Sequence, residues 1–310
     1  MGRQDQVITV VKEIEKKLHT IYDDPVLCRQ YAWWLLEEIT HNQKEQLIIQ
    51  DIIVLDDDQE AKLNKWLDKL INEKIPIQYL LGAIPFTDIE ILVQPPTLIP
   101  RPETEEWVIK LIKKLKQLQN QDLTILDIGT GSGCLALALA NALPQTKVVA
   151  TDIASPALAL AQKNAIHNGI ANITFIDSDI FEDLPAESCF DLIVSNPPYI
   201  SLAEWQTLDE SVTQWEDKSA LVATGKGLDI IKNIIENACT YINPQEELEE
   251  KKIPNIWIEI GYQQANAVVK LMEQEKFLDI NVEKDLEEKD RVVTGRVITC
   301  GPCPPEEILA

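Results

Sequence analysis

Basic charge is scarce in this chain. Across 310 residues, 28 lysines and arginines face 51 aspartates and glutamates, a formal charge of −23. That balance disfavours tight nonspecific adhesion to phosphate backbones and favours a basic protein partner. Histidine is nearly absent. His19, His41 and His167 fall in predicted helices or at their ends without metal-ligand spacing, so no metal is expected. Uninterrupted apolar stretches are also missing: none approaches the roughly 20 residues a membrane helix needs, and the N-terminus carries no signal peptide pattern. A soluble cytoplasmic protein is the expectation.

Cysteines number six, at 28, 134, 189, 239, 300 and 303, scattered too widely for a secreted disulfide framework, so reduced thiols are expected. Cys300 and Cys303 have the spacing of a redox pair or half a zinc site. They stand at the C-terminus with no following βαβ unit and no second ligand pair, which leaves a terminal loop as the plainer reading. No internal repeat is present.

What the chain does have is two kinds of periodicity. Residues 1–85 read as helical, with apolar spacing in Val7–Leu18, Leu27–Ile39 and Leu63–Ile71, and predict a small bundle. Trp33, Trp34 and Trp66 suit core packing there better than a partner surface. Extended patches around Ile89–Val93 and Thr97–Ile99, with Pro95 and Pro96 between, predict a hairpin linker over 86–102. From 103 to 310 helices alternate with apolar strands at 123–128, 147–151, 172–176, 190–195 and 254–260. That alternation predicts a doubly wound α/β sheet, Rossmann-like, covered on both faces. Phe277–Val282 and Arg291–Thr299 read as a closing hairpin, and the charged stretch Pro244–Lys252 as an exposed connection.

Three motifs sit where such a sheet places ligands, at the carboxyl ends of strands. The apolar run 123–128 leads into Gly129, Thr130, Gly131, Ser132 and Gly133, then an alanine- and leucine-rich helix. Glycines there let backbone approach a ligand, and the helix start offers free N–H groups. Gly131-x-Gly133-x-x-Ala136 also fits the permissive dinucleotide fingerprint, so the pattern alone does not choose between cofactors. Asp152 ends the next strand, where a carboxylate can hold both ribose hydroxyls of NAD or of S-adenosylmethionine. Asp127 and Asp152 each also admit a plain reading as strand-end carboxylates at a helix start. After the third strand come Asp177, Asp179 and Ile180, an acceptor for an adenine amine and an apolar flank for its ring.

The fourth strand runs into Asn196, Pro197, Pro198 and Tyr199. An amide nitrogen, or the exocyclic amine of a base, is a poor nucleophile because its lone pair is delocalised. The Asn196 side-chain carbonyl and the Pro197 backbone carbonyl can accept both of its N–H hydrogens and aim the nitrogen at an electrophile. Two prolines stiffen the turn, and Tyr199 can pack on a planar group. The plain alternative is an Asn-Pro turn after a buried strand.

With these residues assembled, the chain resembles the protein-(glutamine-N5) methyltransferases that modify peptide chain release factors, the PrmC/HemK family. The resemblance spans most of the chain. It rests on Pro76–Gly82, Leu98–Glu105, the glycine turn, Asp152, Asn196–Tyr199 and Glu259–Gln264. It implies S-adenosylmethionine around Gly129 to Gly133, Asp152, Asp179, Ile180 and Asn196. It further implies a release-factor glutamine held by Asn196 to Tyr199, with Asn196 and Pro197 as the catalytic acceptors, and an antiparallel edge strand. The N-terminal domain would then recognise the release factor. The chain departs from the family at Ile180, where an aromatic is common, at Glu216-Asp217 in place of Glu-Pro, at Glu288 in place of glycine, and after Phe86 at Thr87 and Asp88. Three other readings fit the same residues: adenine-N6 methylation of nucleic acid, an NAD-dependent oxidoreductase, and a noncatalytic binding module on the same scaffold.

Overall fold

The structure, a computed structural model, describes residues 3–120, 122–185, 187–243 and 246–297. Its backbone divides into two compact units. One runs up to Gly82 and includes the distant segment Asp209–Trp215; the other begins at Ala83 and takes the rest.

In the first unit, α1 (Val7–Leu18) buries Val7, Val10, Val11, Ile14 and Leu18, the one-face spacing of an amphipathic helix. Helix α2 (Pro25–Thr40) starts where Asp24 accepts the Val26 N–H and Pro25 occupies the first turn. After α3 (Lys44–Gln50), α4 (Asp57–Asn72) opens on a reciprocal Asp56/Gln59 capping box and buries Leu63, Leu67 and Leu70. A short α5 spans Ile77–Leu81. Trp33 is buried, whereas Trp34 stacks on Tyr31 and Trp66 lies under the Lys62 ammonium.

The expectation of an all-helical N-terminal region is corrected by β1 (Arg3–Gln6) and β2 (Ile52–Leu55), which pair antiparallel. Alternation in β2 is the physical cause: Ile53 and Leu55 face the core while Ile52 and Val54 face out. Trp215 belongs to this unit through its indole N–H, which donates to the Glu73 carbonyl at 2.9 Å.

The second unit opens with a hairpin, β3 (Ala83–Phe86) and β4 (Ile89–Leu92), followed by α6 (Pro102–Leu115). Pro102 in its first turn, Glu103 and Glu105 beside it and Lys113 and Lys114 at its end suit the helix dipole. Then come β5 (Thr124–Ile128), α7 (Cys134–Ala142), β6 (Lys147–Asp152), α8 (Ser155–Asn168), β7 (Ile173–Asp177), β8 (Leu192–Ser195), β9 (Ile256–Glu259), β10 (Leu278–Lys284) and β11 (Asp290–Arg296).

The seven strands lie in the order β10-β11-β9-β8-β5-β6-β7. Pairs from β9 through β7 are parallel, and β11 runs antiparallel to both β9 and β10. The α/β fold with helices against a Rossmann-like sheet is thus the one the alternation predicts. Strands β8 and β9 are buried along their length, as a doubly covered sheet requires.

Register positions the site. Ile128 lies opposite Thr151 on one side and Ser195 on the other, and Ser195 lies opposite Ile258. The residues at or just past the strand ends therefore emerge along one rim: Gly129, Asp152, Asn196 and Glu259.

Two local expectations change. Within the charged connection, Glu246–Glu250 forms a helical turn whose Leu248 is buried, so an apolar anchor interrupts the exposed run. Cys189 is disulfide-bonded, against the expectation of reduced thiols, while Cys28 and Cys134 are free. Cys300 and Cys303 lie outside the described residues, as do 298 and 299 of the expected last strand. No helix among the described residues is long and apolar enough to cross a membrane.

Candidate active site

A cleft of about 430 Å³ opens along the rim of the sheet. Gly129, Gly131, Asp152, Asp179, Ile180 and Asn196 all line it, together with Pro197 and Pro198. Four separate strand ends, those of β5, β6, β7 and β8, therefore converge on one cavity. Thr130, Ser132, Gly133 and Tyr199 do not line it, and each has a supporting position instead.

In the glycine turn, Gly131 takes φ +58°, and a Cβ built there would meet nothing within 4 Å because the cleft lies before it. Gly133, at φ +85°, has a different reason: a Cβ would come within 3.0 Å of the Ala161 Cβ on α8, so this glycine lets two helices approach. Thr130 is buried, its hydroxyl donating to Asp127 Oδ2 at 2.7 Å and its N–H to the Thr151 carbonyl. The Ser132 carbonyl accepts from Asn164 Nδ2 at 2.9 Å. Asn164, buried on α8, also exchanges bonds with both backbone groups of Leu92, tying the β3–β4 hairpin to the turn. Its role was not legible beforehand, since its partners lie 32 and 72 residues away.

Asp152 accepts the Gly131 N–H at 2.8 Å on one oxygen and the Ala154 N–H at 2.8 Å on the other. Burial raises its carboxyl pKa, and those N–H bonds pull it back. Each oxygen keeps a lone pair, so the ribose hydroxyls of an adenosine group fit as further donors. The donor set suits S-adenosylmethionine: an open glycine backbone, a diol acceptor, and Asp179 beside the apolar Ile180.

Ile180 itself adopts φ +56°, a left-handed conformation that a β-branched residue rarely takes, and its side chain is buried beside Phe181 and Leu184. Asp127 is fully buried. Its Oδ1 has no hydrogen-bond partner, and burial pushes its carboxyl pKa up to about 7.

Asn196 Nδ2 donates to Thr104 Oγ1 at 3.1 Å, Thr104 Oγ1 donates to Glu259 Oε2 at 2.7 Å, and Trp107 Nε1 donates to the same oxygen at 2.9 Å. Tyr199 turns away from the cleft: its hydroxyl donates to Glu259 Oε1 at 3.3 Å, and its carbonyl accepts from Gln264 Nε2 at 2.8 Å. It lines a small recess beside Asn196 and Arg101. Both bonds of Tyr199 anchor the turn. Burial raises the Glu259 pKa, opposed by the bonds from Trp107 and Thr104.

The departures from the family pattern have visible places. Glu216 is buried and takes both oxygens to Arg101 Nη2, at 2.7 and 2.6 Å. Asp217 lines the cleft, and its N–H donates to the Pro96 carbonyl at 2.7 Å, a bond proline cannot make. Glu288 takes φ +62°, the glycine-favouring region, in the turn between β10 and β11. Thr87 N–H donates to Glu105, and neither Phe86, Thr87 nor Asp88 reaches the cleft.

Two family models match this chain: the PrmC N-terminal domain over residues 10–82, and the methyltransferase small domain over residues 110–226. A release factor glutamine methyltransferase from Lactococcus lactis subsp. lactis is 38% identical over 267 residues, covering 86% of this chain and 92% of that one. Another of that name, from Francisella tularensis subsp. tularensis, is 40% identical over 274 residues, covering 84% and 92%. Among solved structures, the release factor-specific protein-(glutamine-N5) methyltransferase from Alicyclobacillus acidocaldarius is 25% identical, covers 64% of this chain and 93% of that one, and has a TM-score of 0.37.

Proposed function

Because the chain belongs to the release factor glutamine methyltransferase family, we propose that it methylates the side-chain amide nitrogen of a glutamine in a peptide chain release factor, using S-adenosylmethionine. One observation carries this reading at the level of residues: Asn196 and Pro197 share a single cleft with Gly129, Gly131 and Asp152. An acceptor for a planar nitrogen thus faces a pocket suited to an adenosine cofactor.

S-adenosylmethionine, held along this cleft, would supply a methyl group on a positively charged sulfur for displacement by the amide nitrogen, whose surplus proton would leave to water. The chain's own contribution is alignment and charge stabilisation. Asn196 Oδ1 and the Pro197 carbonyl accept the two amide hydrogens, fixing the nitrogen and offsetting the positive charge that develops on it. Asp152 would hold the ribose, the backbone at Gly129 and Gly131 would lie along the cofactor, and Asp179 with Ile180 would receive the adenine. Thr130, Ser132 and Gly133 shape the turn from behind. The cytoplasm is the compartment where a release factor would be met, and the unit that runs up to Gly82 and includes Asp209–Trp215 is the one we assign to recognising it.

The test is direct. Purified chain, methyl-labelled donor and a release factor are incubated, and mass spectrometry locates the label. Label on a glutamine side chain supports the reading. Label on adenine of added nucleic acid, with the release factor unlabelled, would replace it.

A further inference from the structure

A carboxamide has one donating end and one accepting end, and Asn196 serves the reaction proposed above only if its oxygen faces the substrate nitrogen. The contacts behind it decide which end is presented. Trp107 Nε1 can only donate, so Glu259 Oε2, 2.9 Å away, is an acceptor. The Thr104 hydroxyl gives its single proton to that same oxygen at 2.7 Å, leaving only lone pairs for its other neighbour. Asn196 must therefore present its NH2 to Thr104, and does so at 3.1 Å. Every donor in the series points toward Glu259. Thr104 and Glu259 are each 1% exposed, so water does not compete for these bonds, and neither residue lines the cleft.

We propose that Thr104, backed by Glu259, is a positioning residue that sets the orientation of the Asn196 carboxamide, leaving Oδ1 as the acceptor for the substrate amide. The inference rests on the reading that Asn196 accepts an amide hydrogen. Without the Thr104 hydroxyl the side chain can turn over, and an NH2 facing the cleft would oppose the substrate N–H and attract the substrate carbonyl instead. The nitrogen would then sit out of line with the methyl group. Elements that share no local sequence converge here: Thr104 and Trp107 come from α6, Glu259 from the end of β9, and Asn196 from the end of β8.

The experiment compares variants of the whole 310-residue chain with a release factor as substrate. Thr104→Val keeps the shape and deletes the hydroxyl; turnover should fall by about tenfold or more while the dissociation constant for S-adenosylmethionine stays within about twofold. Thr104→Ser, which restores the hydroxyl, should recover most of that loss. Asn196→Ala, run in parallel, separates the two claims. If it remains active, the reading of Asn196 falls. If it is inactive while Thr104→Val turns over normally, only the relay falls. Equal impairment of the serine and valine variants would make Thr104 a packing residue and overturn the proposal. Should Thr104→Val fail to fold, Glu259→Gln provides the second comparison against Glu259→Met. Trp107 holds the glutamine carbonyl oxygen where Oε2 stood, so the direction of the series survives in Gln and is lost in Met. Turnover should follow, and equal turnover in the two would refute it.

Discussion

Asn196 and Asp152 line the same cleft but do different work, and their variants should separate along that division. Asn196→Ala removes an acceptor that matters as charge develops on nitrogen, so turnover should drop by roughly a hundredfold or more, with cofactor binding by calorimetry little changed. Asp152→Ala deletes a half-buried acceptor of hydroxyl donors, and cofactor affinity should weaken by about tenfold to a hundredfold, the scale of hydrogen bonds to a charged group. Asp127 gives a third prediction at this scale. Its carboxyl pKa is raised from 3.8 to about 7 by burial, so between those pH values the folded state holds a proton that the unfolded state has released. Stability contributed by the neutral carboxyl is full below about 4 and lost as pH rises through about 7. Thermal unfolding of the wild type should show this decline, and Asp127→Asn should flatten it; an unchanged slope in the variant would assign the decline elsewhere.

At the scale of elements, the glycine turn holds two glycines with different physical reasons. Gly131→Ala would place a left-handed alanine's Cβ into the cleft, so cofactor affinity should suffer alongside a backbone cost of about 1–2 kcal/mol. Gly133→Ala would press on Ala161 of α8, so the melting temperature should fall even where the cofactor is absent. A melting-temperature and calorimetry pair on both variants distinguishes them. This difference was not legible in the sequence, where the two glycines belong to one motif. The sheet itself was legible, because buried parallel strands leave continuous apolar runs and glycine turns follow them. The pair β1–β2 was not: four-residue strands beside amphipathic helices carry too little alternation to compete with the helical period. Thr104 and Glu259 lay inside segments that carried the family resemblance, yet their bond joins residues 155 apart, and no spacing rule reaches that far. Ile180 was legible as an apolar residue after the third strand, but not its left-handed backbone.

For the molecule as a whole, the charge of −23 acts at a distance on any basic partner. Association with such a protein substrate should weaken as salt shortens the roughly 10 Å screening length near 0.1 M, while the enclosed cofactor contacts respond less. The expected pattern is a KM for the release factor that rises with ionic strength and a cofactor dissociation constant that hardly moves. A flat KM would remove long-range attraction from the account. The division into units has its own sequel. Since Asp209–Trp215 completes the unit that begins at the N-terminus, a ribosome must make more than two thirds of the chain before that unit has its last piece. The first helices to emerge therefore wait for a distant tryptophan, and order of synthesis is not order of completion.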